Sequence, residues 1–256
     1  MNTFSPDELK ILEEKFRFTS LTNSSPLSIQ ISDLLDEAQI HLYLTAIKEK
    51  TKAANLGVAA SLFVKRYSFA ILAALYSMSV LNKRINFSLQ NVSIQTLDES
   101  DPLWLPSIKF NKINLSPAPQ QDRENWRNEI LTDIFANHIE VLFNQLHQTT
   151  KLSKIIMWEN IYIYIVWMYK NLLDDHQYSA RYLDMKEDFE WIAARGKGIL
   201  FGSYKDNPFL KFKSTDDALS NLEGPAQDRK TCCLSYLTEN KGHFCKTCPI
   251  KRKRKS

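Results

Sequence analysis

The chain has 256 residues, 44% hydrophobic and 24% charged, which suits one large globular domain or two modest ones and excludes bulk disorder. It contains only six glycines and neither G-x-G-x-x-G nor G-x-x-x-x-G-K-[ST], and Gly196-Lys197-Gly198 completes neither motif, so a glycine-rich nucleotide cradle is excluded. The net charge of +4 is uneven: residues 229–256 hold nine of the 33 basic residues and one acid, Glu239, leaving a body of net −4 that argues against nucleic-acid binding.

The first residues lack the basic and apolar regions of a secretory leader. Ser5-Pro6-Asp7-Glu8 predicts a helix start: a serine cap, proline in the first turn, then acids at the positive end of the dipole. Leu9, Ile11, Leu12 and Phe16 give that helix an apolar stripe, and 32–52 repeats the pattern after a Ser/Thr/Asn break at 19–25. Residues 53–81 predict a long buried helix or a kinked pair. Their most apolar run, 67–81, falls short of the roughly 20 residues of a bilayer span. A soluble, cytoplasmic protein is therefore expected.

Between 85 and 115 the periodicity changes. Ile85, Phe87 and Leu89, then Val92 and Ile94, alternate with polar residues around Gln90-Asn91, the pattern of a half-buried hairpin. The proline-rich stretch 116–121 reads as a loop or short linker. Helical spacing returns over 122–148, 154–173 and 179–195, and 196–230 reads as irregular. The expected fold is mainly α (α+β). A helical body, residues 1–228, carries a small β-hairpin insertion at about 85–115, and 229–256 form a short C-terminal cysteine module with a basic tail.

All four cysteines fall within 17 residues: Cys232-Cys233, eleven residues, then Cys245-Lys246-Thr247-Cys248. Four soft donors in one short segment suit a metal ion or an iron–sulfur cluster, and in a cytosolic chain they favour metal or redox chemistry over structural disulfides. Cys245-x-x-Cys248 has the spacing of a tetrahedral zinc half-site. Adjacent Cys232-Cys233 does not, because neighbouring side chains diverge. Zinc and an iron–sulfur centre both stay open on this chemistry. His243 reads as a solvated loop position.

Arg229-Lys230-Thr231-Cys232-Cys233, followed by Cys245-Lys246-Thr247-Cys248-Pro249, resembles the C-terminal signature of the FhuF-like ferric siderophore reductases. Asn207-Pro208 resembles the Asn-Pro upstream of that signature, and Trp158-Glu159-Asn160 is a weaker echo. The loop between the cysteine pairs is one residue longer than in the founding member, a change that a solvated loop absorbs. The resemblance implies a [2Fe–2S] cluster on Cys232, Cys233, Cys245 and Cys248. It further implies one-electron reduction of a ferric siderophore in the cytoplasm, with the electron drawn from a ferredoxin, a flavodoxin or reduced flavin.

The helical body would then supply the substrate surface, for which Trp158, Asn160, Arg181, Arg195 and Lys197 are candidates. Aromatics on an apolar helix ordinarily pack and lone surface cations are ordinarily solvated, so each has a plainer reading as well. The tail 251–255 is most simply a solvated end. It is also suited to docking an acidic donor protein or to peripheral contact with anionic lipid. Two competing classes remain: a Cys₄ zinc module that binds nucleic acid or a protein, and an iron–sulfur sensor without reductase activity.

Overall fold

Helix α3, Leu56–Ser79, forms the axis of the protein. The computed structural model describes residues 3–213, 219–222, 229–238, 244–245 and 247–253. His243, Lys241, Lys246 and the tail end Arg254-Lys255 lie outside them. Asn55 caps α3 through a 3.0 Å bond from the Val58 N–H, and the helix then runs unbroken, without the kink that 53–81 also allowed. It is long and apolar enough to cross a bilayer, yet 94% of its apolar window is buried by the rest of the chain. That burial marks it as a core helix.

The flanking helices form where the local signals place them. α1, Pro6–Phe16, starts in a reciprocal capping box between Ser5 and Glu8. α2, Glu37–Thr51, is capped by Asp36, whose carboxylate accepts from the N–H groups of Ala38 and Gln39. α4, Arg123–Ile134, and α5, Glu140–Thr150, are joined by a π turn at Phe135–Ile139, so the segment is one helix with a wide turn in its middle. α6, Lys154–Asp174, lies along α3, and α7, Tyr182–Glu190, runs into a second π turn at Trp191–Arg195. One buried apolar cluster extends from Phe4 to Phe212, on both sides of the proline-rich 116–121 stretch.

The β insertion exists, but its strands pair differently from a local hairpin. β2, Lys83–Ile85, pairs with β5, Leu115–Pro117, while β3, Val92–Gln95, lies between β1, Ile29–Gln30, and β4, Ser107–Phe110. All the pairings are antiparallel. Phe87 separates the two halves: it turns inward onto His138, with ring centres 4.6 Å apart. The Asn91 amide then closes the loop by donating to the carbonyls of Asn86 and Lys112.

Candidate metal centre

Two polar positions on α3, Ser61 and Lys65, sit one turn apart and so share a face. Ser61 Oγ donates to the Cys233 carbonyl at 2.8 Å. Lys65 Nζ reaches Ser235 Oγ at 2.8 Å and lies 3.8 Å from Cys233 Sγ. On α6, Glu159 and Asn160 interrupt the apolar run from Ile155 to Tyr169. Glu159 accepts from the backbone N–H of Lys230 at 2.5 Å and of Thr231 at 2.8 Å, and also from the Thr231 hydroxyl. Asn160 donates to Ser61 Oγ at 3.0 Å and accepts from Arg229 Nη2 at 2.6 Å.

Arg229 completes this frame. Its guanidinium lies 3.5 Å from Glu159, both side chains being almost fully buried, and its backbone N–H donates to the Thr247 carbonyl at 3.1 Å. That last bond ties the first cysteine segment to the second. A further clamp joins Leu237-Thr238 to Ala53-Ala54, just ahead of α3. The cysteine module is thus fastened to two helices by side chains that grip its backbone.

Within the module, Leu234 takes a left-handed conformation (φ 60°), folding the chain back so that its N–H donates to Cys232 Sγ at 3.4 Å. The sulfurs meet crosswise. Cys233 and Cys245 are 4.0 Å apart, and Cys232 has Cys248 as its side-chain neighbour. With metal–sulfur bonds of ~2.3 Å, two sulfurs of one tetrahedron stand about 3.8 Å apart, so the first pair already has the spacing that a metal requires. Crosswise pairing also removes the difficulty of adjacent cysteines, because neither pair consists of sequence neighbours. Among the described residues, no three His, Cys, Asp or Glu side chains converge as a single-ion site.

Cys233 and Cys248 are buried, whereas Cys232 and Cys245 are half-exposed. The contact with Cys245, together with Lys65, Ser235 and Arg229, outweighs burial and pulls the Cys233 thiol down, toward the thiolate that is the ligand form. Cys245 is raised by that same contact, and Cys232 by burial. Burial pushes the Lys65 ammonium down, with the Cys233 sulfur opposing. Four sulfurs, one of them beside a lysine and pulled toward its thiolate form, with an N–H donated to another, fit an iron–sulfur cluster as a donor set.

Of the five candidates for the substrate surface, two lie beside this centre. Asn160 is fully buried, bonded to Ser61 and Arg229, and positions the cysteine segment. Trp158 packs among Phe143, Phe135 and Phe209, with its indole N–H donating to Tyr204 OH at 2.9 Å. Asn207-Pro208 braces that cluster: the Asn207 amide donates to the Ile192 carbonyl and accepts from the Phe209 N–H. Arg181 is elsewhere. It bonds Asn82 beyond the far end of α3 and pairs with Asp184; at ~1.5 Å rise per residue it lies roughly 30 Å along the axis from Ser61. Arg195 stacks on Trp191 and faces Glu190, and Lys197 is exposed. Sequence reasoning missed Ser61 and Lys65, because a serine and a lysine one turn apart on an apolar helix read as packing and snorkelling.

Residues 61–240 match the model of a family described as the ferric iron reductase FhuF-like transporters. The match covers well over half of the chain, and the chain belongs to this family. It begins at Ser61, spans Glu159-Asn160 and Cys232-Cys233, and ends ahead of Cys245. No curated protein matches the chain.

Proposed function

We propose that the protein is a cytoplasmic ferric siderophore reductase, an oxidoreductase that delivers one electron to a ferric chelate and so releases Fe(II). The observation that carries this reading is the crosswise gathering of four thiols on the family's cysteine frame, with Lys65 and Arg229 set against Cys233. Cys232, Cys233, Cys245 and Cys248 would hold a [2Fe–2S] cluster, which supplies a one-electron couple when bound. Lys65 and Arg229 offset negative charge at the sulfurs, and the Leu234 N–H and Ser235 hydroxyl satisfy them. The half-exposed Cys232 and Cys245 give the centre an open side.

No acid, base or nucleophile is needed. Hard oxygen chelators hold Fe(III) far more tightly than Fe(II), so adding one electron to the iron of the substrate loosens every iron–oxygen bond at once. The electron is replaced by a ferredoxin, a flavodoxin or reduced flavin, and the basic residues near the module favour an acidic donor.

Anaerobic purification with iron and sulfide analysis tests the proposal, followed by single-turnover mixing of the reduced protein with a ferric siderophore. Two irons and two sulfides per chain, lost in Cys233→Ser, and bleaching matched by Fe(II) formation are expected. One zinc per chain would replace the reading with a zinc binding module. A loaded protein that leaves the chelate unreduced would make it an iron–sulfur sensor.

A further inference from the structure

A cleft of about 400 Å³ opens where α5 and α6 meet the 203–212 segment. Its polar groups form a connected chain. Lys154 Nζ is 2.7 Å from Glu140 and also bonds Asn144; Tyr204 OH donates to the other Glu140 oxygen at 2.8 Å; and Trp158 Nε1 donates to Tyr204. Lys211 adds a second ammonium, exposed at the rim, while Phe212 and Trp158 give the cleft an apolar side. Gly202 makes this arrangement possible. At φ +111° it lets the chain lie directly on Glu140, where a Cβ would stand 2.7 Å from Glu140 Cγ.

The cleft adjoins the cysteine module. Trp158 precedes Glu159, whose carboxylate binds the N–H of Thr231, the residue before Cys232. Two residue steps of ~3.8 Å and one hydrogen bond of ~2.9 Å, with the Glu159 side chain between them, join the cleft to Cys232. Lys230 Nζ also donates to the Lys213 carbonyl, immediately past Phe212, so the cleft and the module share a wall.

Two ammonium groups and one carboxylate line the cleft, and both oxygens of that carboxylate are already bonded. The excess positive charge selects an anion rich in oxygen acceptors. The volume stands at the small end of ligand pockets, ~300–1,000 Å³, which suits a compact chelate. We infer that this cleft binds a small, carboxylate-bearing ferric chelate, with Lys211 and Lys154 as its anion contacts. The ferric part of the inference rests on the reductase reading; the carboxylate part rests on the cleft alone.

Calorimetry on the full chain tests it with gallium(III) citrate, a redox-inert stand-in for the ferric chelate, alongside metal-free citrate and a neutral gallium(III) trihydroxamate. Gallium citrate is expected to bind. Lys211→Glu, a surface change, should weaken it at least about tenfold and Lys211→Arg should preserve it, with the trihydroxamate binding more weakly than citrate. Unchanged affinity in Lys211→Glu, tighter binding of the trihydroxamate, or equal binding of metal-free citrate would overturn the inference. Because gallium is not reduced, the two readings fail separately. Binding of gallium citrate without reduction of ferric citrate or of a ferric siderophore keeps the cleft and removes the reductase. Reduction of ferric chelates without gallium citrate binding does the reverse.

Discussion

His138 and Cys233 are both buried against α3, and their surroundings treat the charged form of each in opposite ways. His138 lies in the π turn between α4 and α5, where Nε2 meets Tyr67 OH at 2.5 Å and Nδ1 meets the Phe87 carbonyl at 2.8 Å. Burial among neutral groups pushes it down to about 4, so it is uncharged at neutral pH. Cys233 is as well covered, yet the Cys245 sulfur, Lys65 and Arg229 pull its thiol down in spite of that burial. Burial alone therefore marks neither site as functional. What distinguishes the cysteine site is fixed cations held against soft donors, by side chains that bind backbone instead of filling a core.

The sharpest way to break this comparison is Glu159→Ala. It leaves Arg229 buried without its carboxylate and strips the Lys230 and Thr231 N–H groups of their acceptor, a loss of ~3–5 kcal/mol. Limited proteolysis should open 229–238 and metal content should fall, while the thermal midpoint of the helical body moves little. Collapse of the body together with the module would show that the two regions are one unit.

The histidine side is tested by pH. The folded value lies below the ordinary 6.5, so between those two values the unfolded chain binds the extra proton. Stability from this group is complete above about pH 6.5 and drains as pH falls towards 4, by about 3 kcal/mol. Urea unfolding at stepped pH should follow that slope, and His138→Gln should flatten it.

Lys65→Met sharpens the contrast from the other side. Removing the buried cation should lower the one-electron midpoint of the loaded protein, by ~59 mV for each tenfold loss of preference for the reduced form. Dye-coupled redox titration reads this, and an unchanged midpoint would make Lys65 a packing residue. The smallest effect belongs to the tail: a chain ending at Ile250 should keep its fold and metal, and should differ only in slower electron uptake from an acidic donor at low salt.

Much of the fold was legible because its signals are local. The Ser5–Glu8 box, the Asp36 cap and the apolar spacings of α2 to α6 lie within a few residues of what they specify. Strand pairing was not local: Ile94 pairs with Ile29, far upstream, and a period-two pattern carries no information about its partner. The four cysteines stood out by type and crowding, and Trp158-Glu159-Asn160 only as an echo of the resemblance. Ser61 and Lys65 became visible only once the chain brought the cysteines back to α3. Arg181 lies away from the cysteines for a related reason, since sequence proximity to α6 says nothing about which end of α3 it meets.

The anchors of the module also set an order in time. Ser61 lies 172 residues before Cys233, and Glu159 lies 71 before Lys230. A ribosome adding ~5–20 residues per second needs roughly 4–14 s to travel from Glu159 to Lys230. Both anchoring helices are therefore made, and free to pack, before the first cysteine emerges. The thiols arrive at a surface already able to receive them, which shortens their exposure to oxidation and to stray metals and would make loading of the proposed cluster a late step in the protein's maturation.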